Sequence, residues 1–306
     1  MKLLSQLTYL DVVAKKGSIR KAAEVLNITS TALNRRILAL EDELGAPIFE
    51  RLPNGVRLNT AGELLIQHIR KSISDLSRVK SQIADLSGIR SGHITIASSA
   101  EVAGKFLPQR IAVYRQLFPD VSFEILRRAP EDAMRALQHF NADFALIFGA
   151  VPASEFHIVL SVDLTVKAAM NASHPLAQKE EVGLYDLVNY PAILPADGSG
   201  LYDVVTTAQR KKGLKLQEAI TSESFEFIAH YSKAEEAVSF MLSFDDHATE
   251  DEYQNIVLRP LKEADKMQGR LHIVQMKGRV LSVAAAKFIE ELRQHLYQVL
   301  PENIRQ

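Results

Sequence analysis

The stretch "TSTALNRR", residues 29–36, sets Thr29, Ser30, Thr31, Asn34 and Arg35 at a spacing where one kind of chemistry is open to them. At 100° per residue on a helix, Thr31, Asn34, Arg35 and Leu38 share one side, with Ser30 near the leading end. Leu33, Ile37, Leu40 and Leu44 form a narrow apolar stripe opposite. Hydroxyls and free helix N-terminal amides can hold phosphate oxygens, while asparagine and arginine can make paired hydrogen bonds to adenine and guanine edges. The side could equally be a polar face that meets only water. On this stretch alone both readings stand.

Other reactive groupings are missing from the sequence. The nine histidines stand singly, with no His-Glu-x-x-His or comparable metal spacing. There is no Gly-x-Ser-x-Gly elbow, and "DGSG" at 197–200 lacks the lysine of a phosphate loop. The absence of cysteine excludes disulfides, thiolate metal sites and a cysteine nucleophile, and fits a reducing compartment. An enzyme is therefore the weaker reading, with no catalytic residue, metal or cofactor expected.

The elements that must position residues 29–36 can be read from their neighbours. Leu3, Leu7, Leu10 and Ala14 recur at helical spacing up to Gly17, and Ser18 can cap a second helix with small Ala22 and Ala23. Asn27 and Ile28 make a tight connection, and Thr29 caps a third helix that Gly45 stops near Leu44. This is a helix-turn-helix arrangement. Asn54-Gly55 then predicts a hairpin with positive φ at both turn positions, flanked by Arg51 and Arg57 as a wing suited to a phosphate backbone. Thr60 and Glu63 read as a capping box opening a helix over about 60–87, roughly 40 Å long at 1.5 Å per residue. Its Ile66, Ile69, Ile73, Leu76, Val79, Ile83 and Leu86 predict a seam for a partner helix, from a second copy or from the chain's own body.

Charge divides the same way. Residues 1–90 hold 14 lysines and arginines against 9 acids, a net of +5, and the other 216 hold 22 against 28, a net of −6. A basic head on an acidic body suits a polyanion at the head, with chance fluctuation as the plain alternative. No apolar segment approaches 18 residues, and the start lacks a signal-peptide pattern, so a cytoplasmic location is expected.

The run "SIRKAAEVLNITSTALNRRILALEDELGAPIFERLPNGVRLNTAGELL" resembles the N-terminal region of LysR-type transcriptional regulators, with about 48 residues aligning without a gap. The resemblance implies an all-α winged helix-turn-helix over 1–59, a dimerising linker helix over 60–89 and an effector-binding domain over 90–306. It implies promoter DNA, a small-molecule effector and a homodimer or homotetramer as partners, with RNA polymerase a further candidate. The DNA-facing residues are then Ser18, Arg20, Thr29, Ser30, Thr31, Asn34, Arg35, Arg51 and Arg57. Family members commonly begin the recognition helix Ser-Gln-Pro/Ser-Ala, with a serine four residues on. Here the run is Thr29-Ser30-Thr31-Ala32, with Asn34 at the later serine.

Beyond residue 92, strand-like and helix-like segments alternate, which predicts a parallel sheet with right-handed crossovers. The family likeness continues in "HPLA" (174–177) and "LVNYPAIL". It implies an α/β two-lobed domain like the type 2 periplasmic-binding proteins, lobe I about 90–161 and 270–306, lobe II about 162–269. A nutrient-scavenging binding protein is a rival that the basic head argues against. Ligand is expected at strand carboxyl ends and helix N-termini, among Ser98, Ser99, Glu101, Phe148, Asp197, Thr221 and Ser222, although each hydroxyl could be only a helix cap. Glu101 and Asp197 there would repel a simple carboxylate, favouring a cationic, zwitterionic or polyol ligand. Family members also carry a Gly-x-Gly-Ile turn in the second lobe where this chain has "AEEAVSFMLSF", so another backbone path is expected.

Overall fold

The computed structural model describes residues 2–86, 91–104, 106–152, 154–244, 250–251 and 255–299. Residues 87–90 and 300–306, which the expected domain bounds include, lie outside the described residues, as do the side chains of Leu3 and Leu86. Internal contacts divide the chain into two compact units, residues 1–83 with 139–141 and the remainder.

In the first unit α1 (Lys2–Lys16) ends at Gly17, whose φ of 60° is ordinary for glycine and costly for other residues. The Ser18 hydroxyl caps α2 (Ile19–Val25), Asn27 turns the chain at φ 53°, and Thr29 caps α3 (Ser30–Leu44), which Gly45 closes at φ 68°. Leu10, Val13, Ala22, Ala23, Leu33 and Ile37 close one core with Ile48, Phe49, Ile66 and Ile69. Burying a side chain such as Leu33 or Ile37 contributes about 1.5–3 kcal/mol. Leu40 packs at the margin, and Leu44, on the last turn of α3, departs from the expected stripe at 48% exposed.

Strands β1 (Phe49–Leu52) and β2 (Gly55–Leu58) form the hairpin with Leu52 opposite Gly55, so the turn is Pro53-Asn54 rather than Asn54-Gly55. The proline ring holds φ negative, and Asn54 is not among the positive-φ residues, which corrects the expected turn type. The start of α4 (Thr60–Leu86) is also shifted by one: the Asn59 Oδ1 accepts from the Gly62 amide at 2.8 Å and replaces the expected Thr60 cap. Ile66, Ile69 and Ile73 of the predicted seam belong to the unit's own core, while Val79 and Ile83 stay 40% and 60% exposed. Arg70 on α4 binds Asp11 on α1 at 2.6 Å, with both side chains largely buried.

The second unit is built on a ten-stranded sheet. One half contains β3 (Gly92–Ser98), α5 (Ala100–Ala103), α6 (Phe106–Leu117), β4 (Val121–Arg127), α7 (Pro130–Gln138) and β5 (Phe144–Phe148). The chain leaves it on β6 (Phe156–Asn171) for α8 (Leu184–Leu187), β7 (Pro191–Leu194), α9 (Gly200–Lys212), β8 (Gln217–Thr221), α10 (Phe225–Ala234) and β9 (Val238–Ser243). After β10 (Glu250–Asp251) and β11 (Ile256–Arg259) it returns on β12 (Met267–Met276) to α11 (Val283–Val299). The strand order is β4-β3-β5-β12-β6-β9-β7-β8, with β11 also on β6.

The sheet is mixed, which corrects the all-parallel expectation. β3 runs parallel to β4 and β5, and β7 parallel to β8 and β9. The strand that carries the chain out, β6, and the one that brings it back, β12, must run oppositely and pair antiparallel. Because β6 pairs with β12 over 156–166 and with β9 over 165–170, these strands join two lobes. At 234–238 no residue has positive φ, so the chain enters β9 without the backbone path that family glycines allow.

Candidate nucleic-acid interface and ligand cleft

Helix α3 presents the side predicted for it. Ser30, Thr31 and Arg35 are exposed, Asn34 is half-buried and Leu38 is 43% exposed, while Leu33 and Ile37 behind them are buried. The two arginines differ. Both are exposed, but the Arg36 guanidinium lies 4.8 Å from the centre of the Tyr9 ring on α1, a cation–π contact that ties it to that helix, while Arg35 points outward without one. From the wing, the Arg51 Nη2 donates to the Asn34 Oδ1 at 2.9 Å, which joins hairpin and helix into one polar surface.

The remaining candidates have partners of their own. Thr29 accepts from the Ala32 amide at 3.2 Å and Ser18 from the Lys21 amide at 3.4 Å, so both oxygens serve as helix caps. Arg20 pairs with Glu24 at 3.6 Å on exposed helix surface. In the hairpin Arg57 stands opposite Glu50 while Arg51 stands opposite Val56, which puts the two wing arginines on opposite faces of the ribbon. Arg57 binds Glu50 at 2.6 Å, and that carboxylate raises the guanidinium's already high pKa. Among the sequence-predicted residues, Ser30, Thr31, Asn34, Arg35 and Arg51 are therefore those not taken up as caps or in ion pairs.

In the second unit a cleft of about 160 Å³ is lined by Ser99, Ala100, Glu101, Arg127, Arg128, Ala129, Pro130, Ser199 and Glu223. Glu101, from the start of α5, reaches to the N-terminal turn of α9 on the other lobe, where its Oε1 accepts from the Leu201 amide at 3.4 Å. Its Oε2 is shut from solvent and has no hydrogen-bond partner among the described residues. Burial, with Glu223 also nearby, pushes this carboxyl above the usual glutamate range. Across the cleft Arg127 Nη2 stands 4.0 Å from Glu223 Oε2.

Of the predicted ligand residues, Ser99 and Glu101 line the cleft. The buried Ser99 hydroxyl is already engaged, donating to the Leu146 carbonyl and accepting from the Phe148 amide at 2.9 Å. Ser98 is fully buried and donates to the Ser99 carbonyl. Phe148 is core: its ring fills the space that Gly269 leaves open, 2.2 Å from where a Cβ would stand. Asp197 is exposed and accepts from the Gly198 amide, so Ser199 and not Asp197 caps α9. Thr221 donates to Glu218, and Ser222 accepts from the Ser224 amide ahead of α10. Sequence reasoning passed over Arg127, Arg128, Ser199 and Glu223. The pair "RR" between a strand and the Pro130 helix start was the signal for two of them.

Residues 4–63 match the family model for the bacterial regulatory helix-turn-helix protein of the lysR family, and residues 87–297 match the LysR substrate binding domain. The chain belongs to the LysR family. LysR-type regulators bind DNA through the first part and respond to effectors in the second, and this chain is a DNA-binding transcriptional regulator with both. Its relatives include the uncharacterized regulator YbhD of Escherichia coli, 28% identical over 93% of this chain and 89% of YbhD. Another is the transcriptional activator CmpR of Synechocystis, 25% identical over 95% of each. Among solved structures, a full-length OxyR variant from Pseudomonas aeruginosa superposes with a TM-score of 0.71 at 19% identity, covering 99% of this chain and 97% of that one. CbnR in complex with its target DNA superposes at 0.67 and 18% identity, covering 95% and 99%. The effector domain of QuiR with shikimate superposes at 0.56 and 16% identity, covering 69% of this LysR-family chain and all of QuiR's. Among the described residues no helix is long and apolar enough to cross a membrane.

Proposed function

We propose that this LysR-family regulator docks α3 in the major groove of promoter DNA through Ser30, Thr31, Asn34 and Arg35, with Arg51 of the wing alongside. The observation that carries this reading is the division of α3: Leu33 and Ile37 are buried in the unit's core, the Ser30 and Thr31 hydroxyls and the Arg35 guanidinium are left outward, and half-buried Asn34 ties them to Arg51 of the wing. Residues 1–59 act as the DNA-binding domain, 60–89 as the linker and 90–306 as the effector domain. The exposed Val79 and Ile83 on α4 pair with a second copy, giving two recognition helices for two half-sites. The precedent for DNA binding is the CbnR–DNA complex, and for a small ligand in this domain the QuiR–shikimate complex.

An effector in the cleft at Ser99, Glu101 and Ser199 shifts the equilibrium between lobe arrangements and thereby biases the assembly's two states on DNA. The chain works by binding, in the cytoplasm, without catalysing a reaction. Genome-wide mapping of bound DNA with the wild-type chain and with Arg35→Ala tests the reading. Discrete promoter sites that fade in the variant support it; occupancy that is the same in both removes α3 from the contact.

A further inference from the structure

We propose that the cleft between the lobes takes a small zwitterion of the amino-acid class, its ammonium against Glu101 and its carboxylate against Arg128. The inference rests on the reading of this cleft as the effector site and names what fits there.

The cleft lining has two acids and two arginines, and they are not equivalent. Arg127 and Glu223 face each other at 4.0 Å, so each answers the other's charge. Glu101 and Arg128 are left. Glu101 uses Oε1 on the Leu201 amide and keeps a buried Oε2 without a donor among the described residues. A buried carboxylate oxygen without a donor is costly, and a positively charged N–H group is what relieves that cost. The exposed Arg128 donates from Nη1 to the Arg127 carbonyl at 2.9 Å. Guanidinium has five donors in a flat fork, and those remaining match the two oxygens of a carboxylate.

Size and the neighbouring hydroxyls narrow the class. A volume of about 160 Å³ is close to the roughly 150 Å³ of a cavity that holds a benzene-sized molecule, room for an amino-acid backbone and a short side chain. A dicarboxylate would set its second charge against Glu101 and Glu223. A simple amine would leave Arg128 unanswered. A polyol would look for free hydroxyls, and Ser99 already donates and accepts within the protein, while the Ser199 oxygen accepts from the Tyr202 amide at 3.1 Å. An ammonium beside Glu101 also offsets the burial that raises its carboxyl, so affinity falls as pH drops through that raised value.

The test is calorimetric titration and thermal shift on the full chain with glycine, L-alanine and L-serine, against succinate, propionate, propylamine and glycerol. Each probe meets the wild type, Glu101→Gln and Arg128→Ala. Circular dichroism melting of the unliganded variants checks folding, and Glu101→Gln keeps an acceptor for the Leu201 amide. The expected result is that a zwitterion binds, that the other classes bind about tenfold weaker or not at all, and that each substitution weakens the zwitterion about tenfold or more. Tighter binding of succinate, propionate, propylamine or glycerol that the same substitutions weaken overturns the ligand class and leaves the cleft as the effector site. Binding that neither substitution alters overturns the cleft reading and the inference with it. Failure of every probe to bind at millimolar concentration overturns the inference.

Discussion

The contrast between Arg35 and Arg36 makes the strongest test of the DNA-facing side. The two residues are adjacent and chemically identical, so charge alone predicts equal effects on DNA affinity. The structure separates them: Arg36 lies over the Tyr9 ring at 4.8 Å and Arg35 points outward beside Thr31 and Asn34. If Arg35 reads a guanine edge, Arg35→Ala costs about 1–3 kcal/mol of operator affinity, about 5- to 150-fold in Kd. Arg36→Ala costs under about 1 kcal/mol of operator affinity, and removes a cation–π contact that stabilises the fold by about 0.5–1 kcal/mol. Fluorescence anisotropy with a mapped operator and a scrambled duplex, at several salt concentrations, distinguishes reading of a base from holding of a phosphate. If Arg35 reads a base, its removal leaves the slope of log K against log salt unchanged and narrows the gap between operator and scrambled duplex. If it holds a phosphate, its removal reduces the slope by about 1 and leaves the gap intact. Equal losses for the two variants, or an unchanged isotherm for Arg35→Ala at matched salt, would refute the assignment.

Three further outcomes are expected. Gly62→Ala gains about 1 kcal/mol of helix propensity yet sets a Cβ 2.1 Å from the Ile48 carbonyl oxygen, so urea unfolding should show a net loss of about 1–3 kcal/mol. Val79→Asp with Ile83→Asp changes only exposed side chains, and sedimentation should show the dimer dissociation constant rising at least about tenfold while the first unit's melting is unaltered. Glu101 has a folded pKa raised above its unfolded value, so its contribution is present below the unfolded pKa and is lost as pH rises through the folded one. Glu101→Gln should therefore raise the unliganded chain's melting temperature at neutral pH and leave it unchanged near pH 4.

The elements of the first unit were legible because their signals are local. A hydroxyl before a helix and a glycine after it act within three or four residues, and Ser18, Thr29 and Gly45 all do what their positions announced. The failures lie where two local signals competed. Pro53 decided the hairpin turn against the Asn-Gly pair, and Asn59 outcompeted Thr60 for the cap one residue earlier. The seam of α4 was legible as a stripe but not as two stripes in series, because only the fold decides that Ile66 and Ile69 meet their own core and Val79 and Ile83 do not. Likewise, strand–helix alternation shows neither direction nor neighbour. The antiparallel pairing of β6 with β12 follows from one chain crossing between lobes twice, a property of residues about a hundred positions apart.

The cleft shows why placing a site is easier than naming its residues. Strand ends and helix starts pointed to the end of the first strand of the unit, where Ser99 and Glu101 line a cleft, yet most of the residues chosen were hydroxyls, and a hydroxyl can be satisfied by whatever backbone lies beside it. Ser98, Thr221 and Ser222 were all satisfied close at hand, by partners no more than a few residues distant. Asp197, exposed, settled on its neighbour's amide in the same manner. A carboxylate carried out of solvent has no such easy settlement, since one backbone amide leaves its second oxygen wanting a donor. Glu101 is the predicted residue in that position: it touches the far lobe, keeps an unanswered oxygen and faces arginines that arrive from another strand. Buried charge is thus the more telling sign in a sequence of this kind, because the fold cannot hide it cheaply: the group must find a partner or, as burial drives Glu101 to do, hold its proton more tightly.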